Sequence, residues 1–282
     1  NQLRVDGKYK DGFVGLMENG VYKPCYDNPE LDHQIHHFSR EEVSHAVQRR
    51  LEEVMCDLVR HLDGENLRLA VAGGVFANVK LNQRLRELEN VSEVFVFPNM
   101  GDGGLSIGAA WLAHYQQSGQ RPQPNPRMNL GNAPSEREIV AALDNSGLEY
   151  ERLADVPTRV AELLAAGEVV IRANGRMEFG PRALGSRSIL YQCSDPDVND
   201  WLNARLDRSE FMPFAPATLA DQAEEFYIGL HGGRRAAQFM TMTFDCTRRM
   251  LEESPAAVHV DHTARPQLVS EELYPDFHRI LS

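Results

Sequence analysis

Apolar residues recur with helical spacing from Val43 to Leu62, directly after Ser39-Arg40-Glu41-Glu42, where a glutamate follows a serine by three positions. That combination predicts a helix opened by a capping box. The pattern then shortens. Leu67–Ala72 reads as a short strand, Gly73-Gly74 ends it, and a helix is expected from there to about Leu88. Val94–Phe97 is a second strand, running through Pro98-Asn99-Met100-Gly101-Asp102-Gly103-Gly104 into a helix from Leu105 to about Tyr115. Residues 118–134 carry four prolines and two glycines with no sustained periodicity, the composition of a linker. Beyond it, Ser135 and Glu138 open a further helix. Another, from about Val156 to Ala166, leads through Gly167 to a strand at Glu168–Ile171. A polar helical stretch is expected at 196–206, and strands at Phe239–Phe244 and Val258–Arg265. Strands alternating with helices predict an α/β fold with parallel or mixed sheet, divided into residues 1–117 and 135–282 by the linker at 118–134.

A length of 282 residues suits one large domain or two modest ones. The formal net charge of -12 argues against a nucleic-acid partner and against an anionic membrane surface, although a phosphate site needs only a few local cations. No stretch approaches the roughly 20 apolar residues that span a bilayer. Cys25, Cys56, Cys193 and Cys246 are scattered with no CxxC pair, which fits reduced thiols and a cytoplasmic location better than zinc or a disulfide frame.

Four constellations can carry chemistry. In Ala72-Gly73-Gly74-Val75-Phe76-Ala77-Asn78, two glycines between strand and helix let backbone approach a phosphate, or simply make a tight packing turn. Asp102 sits among glycines at the carboxyl end of a strand, where it can hold a metal or orient a hydroxyl, or cap the next helix. Between Arg176 and Ser188, the arginines Arg176, Arg182 and Arg187 and two serines lie among glycines, as in an oxyanion cradle or a solvated basic loop. His259, Asp261, Thr263 and Arg265 alternate, and on a strand they would share one face. His33 and His37 have a metal-ligand spacing, but they precede the Ser39 cap and read as surface histidines.

The segments LAVAGGVFANVKLNQRL and VFPNMGDGGLSIGAA resemble the NodU/CmcH carbamoyltransferases, and also the related tRNA threonylcarbamoyladenosine transferases. GRMEFGPRALGSRSIL, FMPFAPA and HVDHTARPQ resemble the carbamoyltransferases alone. The resemblance implies the second half of an actin/Hsp70-ATPase-like domain followed by a YrdC-like α/β domain. It implies that carbamoyl phosphate and ATP, with Mg²⁺, give carbamoyl adenylate and pyrophosphate. An iron-assisted transfer of carbamoyl to a small-molecule hydroxyl acceptor then follows. By matching motifs, Gly73, Gly74 and Asn78 would contact the adenylate, with Arg176, Ser188 and His259 also on the nucleotide. Asp102 would be a metal ligand, and Arg182, Arg187, Arg208, Thr263 and Arg265 would surround the phosphates and the carbamoyl group.

Two departures stand out. The family's metal-binding HxxxH helix and the first half of its ATPase-like fold are expected upstream of Asn1, making this chain a fragment whose exposed sheet edges favour a homo-oligomer. Where the family reads NARIKYREPFRPFAP, residues 203–216 are one residue shorter, lack the lysine and place Met212 at a frequent arginine; Arg208 would supply the charge. That segment keeps a non-catalytic nucleotide-binding module in view, and the shared motifs keep a tRNA-modifying threonylcarbamoyl transferase.

Overall fold

The computed structural model describes residues 16–18, 21–23, 35–123, 125–205 and 214–282. It is a mixed α/β structure of helices and small sheets, and its contacts separate residues 1–63 from residues 64–282. In the first unit, the strands Leu16–Glu18 and Val21–Lys23 pair antiparallel. The helix Arg40–Arg60 opens on the expected capping box: Ser39 Oγ accepts from the Glu42 N–H at 3.2 Å, and Ser39 N–H donates to Glu42 Oε2 at 2.9 Å. His37 lies in the turn ahead of that cap, and His33 lies outside the described residues.

The second unit begins with a right-sized strand–helix–strand. Leu67–Val71 pairs parallel with Val91–Val96, joined by the helix Val79–Arg86. The helix expected to start at Gly73-Gly74 starts five residues later. Gly73, at φ 118°, turns its N–H to Met100 O at 2.6 Å, a 3₁₀ turn occupies Gly74–Ala77, and Asn78 Oδ1 caps the helix by accepting from the Leu81 N–H at 3.0 Å. Asn supplies an N-cap acceptor that glycine lacks, and this decides the boundary. Val91–Val96 is covered on its other edge by the 232 turn, where Gly232 O accepts from the Val94 N–H at 2.8 Å. Only glycine fits there: φ is +73° and a Cβ would lie 2.4 Å from Ser92 O.

After the helices Leu105–Ser118, Glu136–Ser146 and Val156–Ala165, the strands Val170–Ala173 and Arg187–Leu190 form an antiparallel pair around the 174–186 loop. Ser135 caps the Glu136–Ser146 helix with a second capping box. Within the proline-rich segment, residues 128–131 run beside 177–179: Phe179 N–H donates to Met128 O at 2.7 Å and Gly131 N–H to Met177 O at 3.0 Å. Met128 is buried with Leu184, Phe239 and Met240, and Phe97 packs against the same cluster. A second cluster joins Val160, Val269, Phe277 and Ile280, under the parallel pair Gln267–Val269 and Ala217–Leu219.

Residues 239–243 are not strand. Phe239 N–H turns back to Ala236 O and Met240 takes φ 56°, so the strand is confined to Phe244–Cys246, between Tyr227–Ile228 and Thr263–Ala264. Met240-Thr241-Met242-Thr243-Phe244 alternates as a two-faced strand would, but the threonines are as buried as the methionines, so the alternation marks no solvent face and did not require a strand.

Candidate functional site

Three segments distant in sequence converge beside the helix Val79–Arg86. That helix is fixed by buried polar contacts rather than by an apolar stripe alone. Asn82 Nδ2 donates to Phe76 O at 2.8 Å and Thr241 O at 2.7 Å, and Gln83 Nε2 donates to Glu87 Oε1 at 2.8 Å and Asp245 Oδ1 at 3.1 Å. Both side chains are fully buried. The helix is thereby held in one rotation, with Lys80 reaching Asp261 Oδ2 at 2.8 Å.

The 258–265 segment is a tight turn and not the single strand expected from its alternation. His262 adopts φ 62°, its N–H donates to His259 O at 2.9 Å, and His259 N–H donates to Thr263 O at 2.8 Å. Only Thr263–Ala264 is strand. His259, Asp261, Thr263 and Arg265 nevertheless converge, through the turn. Asp261 Oδ1 accepts from Thr263 Oγ1 at 2.7 Å and from the Thr263 N–H at 3.2 Å. Burial acts to raise the Asp261 carboxyl, but the Lys80 and Thr263 hydrogen bonds prevail and hold it at about 2.

Arg265 has no hydrogen-bond or ion-pair partner among the described residues. Burial, followed by the positive charge of Arg182, draws its guanidinium down to about 10. Arg182 is itself lowered by burial; its Nη2 donates to Ala77 O at 3.4 Å, and its buried Nε has no partner. Burial lowers His259 too, with Asp261 opposing and Arg265 and Lys80 adding to the effect. Two partly buried arginines near one another, with no carboxylate paired to either among the described residues, are an unfavourable arrangement for the protein alone and a favourable one for a bound oxyanion.

The remaining candidates are placed elsewhere. Arg187 donates to the carbonyls of Asn174 at 3.3 Å, Gly175 at 3.1 Å and Ser186 at 2.8 Å, closing the loop between the paired strands. Ser188 Oγ accepts from the Gly185 N–H at 3.0 Å. Arg176 is exposed and reaches Gly131 O at 3.2 Å. Gly73 and Gly74 are exposed at the strand end, and Asn78 is the helix cap described above. Asp102 is exposed in the 3₁₀ turn Asp102–Gly104 and caps nothing with its side chain. Arg208 lies outside the described residues. Among the described residues no three His, Cys, Asp or Glu side chains form a group able to hold a metal ion; Asp102 was expected to be one ligand of a shell otherwise lying upstream. No described helix is long and apolar enough to cross a membrane.

Sequence reasoning missed Lys80 and Glu178. Lys80 has no local signature, because its partner is 181 positions away. Glu178 sits inside the arginine-rich block, and its Oε1 accepts from the N–H groups of Leu184 at 2.7 Å, Ser186 at 2.7 Å and Arg187 at 3.2 Å. It shapes the loop from which Arg182 projects.

This cluster of arginines, on a mixed α/β frame, accompanies matches to two family models: carbamoyltransferase N-terminus over residues 17–111 and carbamoyltransferase C-terminus over residues 161–282. The chain belongs to the carbamoyltransferase family. Among its relatives, nodulation protein NolO of Bradyrhizobium diazoefficiens is 33% identical over 290 residues, covering 96% of this chain and 52% of the relative. Nodulation protein NolNO of Sinorhizobium fredii is 32% identical over 294 residues, 96% of this chain and 42% of the relative. An uncharacterized protein of Methanocaldococcus jannaschii is 32% identical over 273 residues, 93% of this chain and 44% of the relative. The chain therefore spans about half the length of the relatives it matches.

Proposed function

We propose that this chain activates carbamoyl groups within an ATP-dependent carbamoyltransferase whose acceptor is a small-molecule hydroxyl. In this reading residues 135–282 form the YrdC-like adenylate-forming domain, and residues 1–117 the second half of an actin/Hsp70-ATPase-like domain. Atom balance orders the first stage. Carbamoyl phosphate loses inorganic phosphate to water, the resulting carbamate oxygen attacks the α-phosphorus of ATP, and pyrophosphate departs. The observation that carries the reading is the half-buried Arg265, without a partner among the described residues, beside Arg182, whose buried Nε has none either. Charge building on phosphate oxygens is met there by cations already in place and partly desolvated.

Each neighbour has a part in that chemistry. Lys80 is oriented by Asp261 at the rim, and His259, held neutral near pH 7 by burial, offers a hydrogen bond without adding charge. Thr263 gives its hydroxyl proton to Asp261 and keeps its oxygen as an acceptor for the carbamoyl amide. Mg²⁺ would arrive on the ATP phosphates. No step assigned to these residues runs through iron.

The test is pyrophosphate release on mixing the chain with ATP, Mg²⁺ and carbamoyl phosphate. Release that requires carbamoyl phosphate and falls about 100-fold in Arg182→Ala is expected for the loss of one fixed cation. Undiminished release in that variant would remove the site from the mechanism. ATP binding without any release would overturn the activation step and favour a non-catalytic nucleotide-binding module.

A further inference from the structure

A second group of cations surrounds a cavity of about 290 Å³ lined by neither Arg182 nor Arg265. Its walls include Arg127, Asn129, Arg172, Arg176 and Tyr274, and Asp276 is the only carboxylate residue among them. Each guanidinium has a backbone carbonyl for a partner: Arg127 Nη2 to Glu272 O at 3.4 Å, Arg176 Nη1 to Gly131 O at 3.2 Å, and Arg172 Nη1 to Gly185 O. Carbonyls orient a guanidinium without neutralising it, and the Asp276 and Glu178 carboxylates act on Arg172 only from a distance, with no direct ion pair. Arg127 and Arg172 also lie over aromatic faces, 5.9 Å from the Tyr274 ring centre and 5.5 Å from that of Phe277, which leaves edge N–H groups unused. None of the three forms an ion pair among the described residues. Glu178, close in sequence, has its Oε1 committed to three backbone N–H groups.

Two further atoms point the same way. Asn129 donates through Nδ2 to Ser186 Oγ at 2.7 Å, but its buried Oδ1 has no donor, and the buried Tyr274 hydroxyl has no partner. Buried polar atoms left in this state call for an occupant. Negative oxygens would serve the guanidiniums and Tyr274, while an O–H would serve Asn129 Oδ1. A partly protonated phosphoryl group offers both. The volume suits a small ion better than a whole nucleotide triphosphate. We infer that the cavity formed by Arg127, Arg172, Arg176, Asn129 and Tyr274 is a binding site for a small phosphoryl ion, inorganic phosphate or pyrophosphate, separate from the Arg182–Arg265 cluster. The inference does not depend on the proposed carbamoyl chemistry.

Calorimetric titration of the full chain with inorganic phosphate and, separately, with pyrophosphate tests it, and the two titrations decide between the ions. Both are run in the Arg182→Ala background, so that the other cluster contributes less. Saturable binding of at least one ion is expected there, weakened at least tenfold by adding Arg127→Ala. Asn129→Asp, which places a carboxylate where the orphan oxygen is, should weaken it at least as much. Arg127 is exposed, so its replacement keeps the test available should Asn129→Asp fail to fold. No saturable binding of either ion, or binding indifferent to Arg127→Ala, would overturn the assignment.

Discussion

Thr243 is 1% exposed, and its hydroxyl lies 2.8 Å from Gln83 Oε1 and 3.2 Å from Val79 O. Thr243→Val keeps the shape and opens no cavity, so its effect isolates the hydroxyl. Gln83 cannot recover by turning its amide over, because Nε2 already serves Glu87 Oε1 and Asp245 Oδ1, and a flip would aim oxygen at two carboxylates. Gln83 Oε1 would therefore be left buried without a donor, at a cost of about 1–3 kcal/mol. For a chain of this size each kcal/mol lowers Tm by about 2–4 °C, so a fall of about 5 °C is expected in a thermal melt. Adding Gln83→Met removes the orphaned acceptor, and the double variant should lose less than the sum of the single losses, by about 1 kcal/mol. An unchanged Tm in Thr243→Val, or strictly additive losses, would refute the claim that buried polar contacts set the rotation of the helix that carries Lys80.

Two further outcomes follow from the same geometry. Asp261, held at about 2, lies below its unfolded value near ~3.9, so its contribution to stability is present above about pH 4 and lost as pH falls towards 2. Its side chain is 45% exposed, so solvent screening keeps that contribution below about 1 kcal/mol; thermal melts of Asp261→Asn should lie below the parent at pH 6 and meet it near pH 2, and a constant gap would contradict the ion pair's role. Glu178→Ala should accelerate hydrogen exchange at Leu184, Ser186 and Arg187 together, whereas Glu178→Gln, which retains an acceptor oxygen, should do so less. Unchanged exchange in Glu178→Ala would show that the loop is held by other contacts.

The Arg182–Arg265 cluster illustrates how a group of residues survives a wrong local reading. Alternation at His259, Asp261, Thr263 and Arg265 suggested one strand face, and the structure gathers the same residues by a turn at His262. Period two is a property of extended chain, and a single residue at positive φ abolishes it while bringing the ends of the segment closer. What the alternation could not indicate is which of the four is left without a partner. That depends on Lys80 reaching Asp261 and on no described residue pairing with Arg265.

Local signals determined what local physics controls. The capping boxes at Ser39 and Ser135, the strands Leu67–Val71 and Val170–Ala173 and the helix Val156–Ala165 lie where, or within two residues of where, their own residues place them. The energies involved act over three or four positions and need no distant partner. The motif resemblance likewise identified the family from short blocks. Tertiary structure alone decided that residues 239–243 turn rather than extend, that Gly232 seals the edge of the strand at Val94, 138 positions before it in sequence, and that Arg127, Arg172 and Tyr274 line one cavity.

 Those outcomes depend on which surfaces meet once the chain has folded. Burial of a guanidinium, and the absence of a carboxylate to pair with it, are properties of the packed neighbourhood, not of the residue or of its neighbours in sequence.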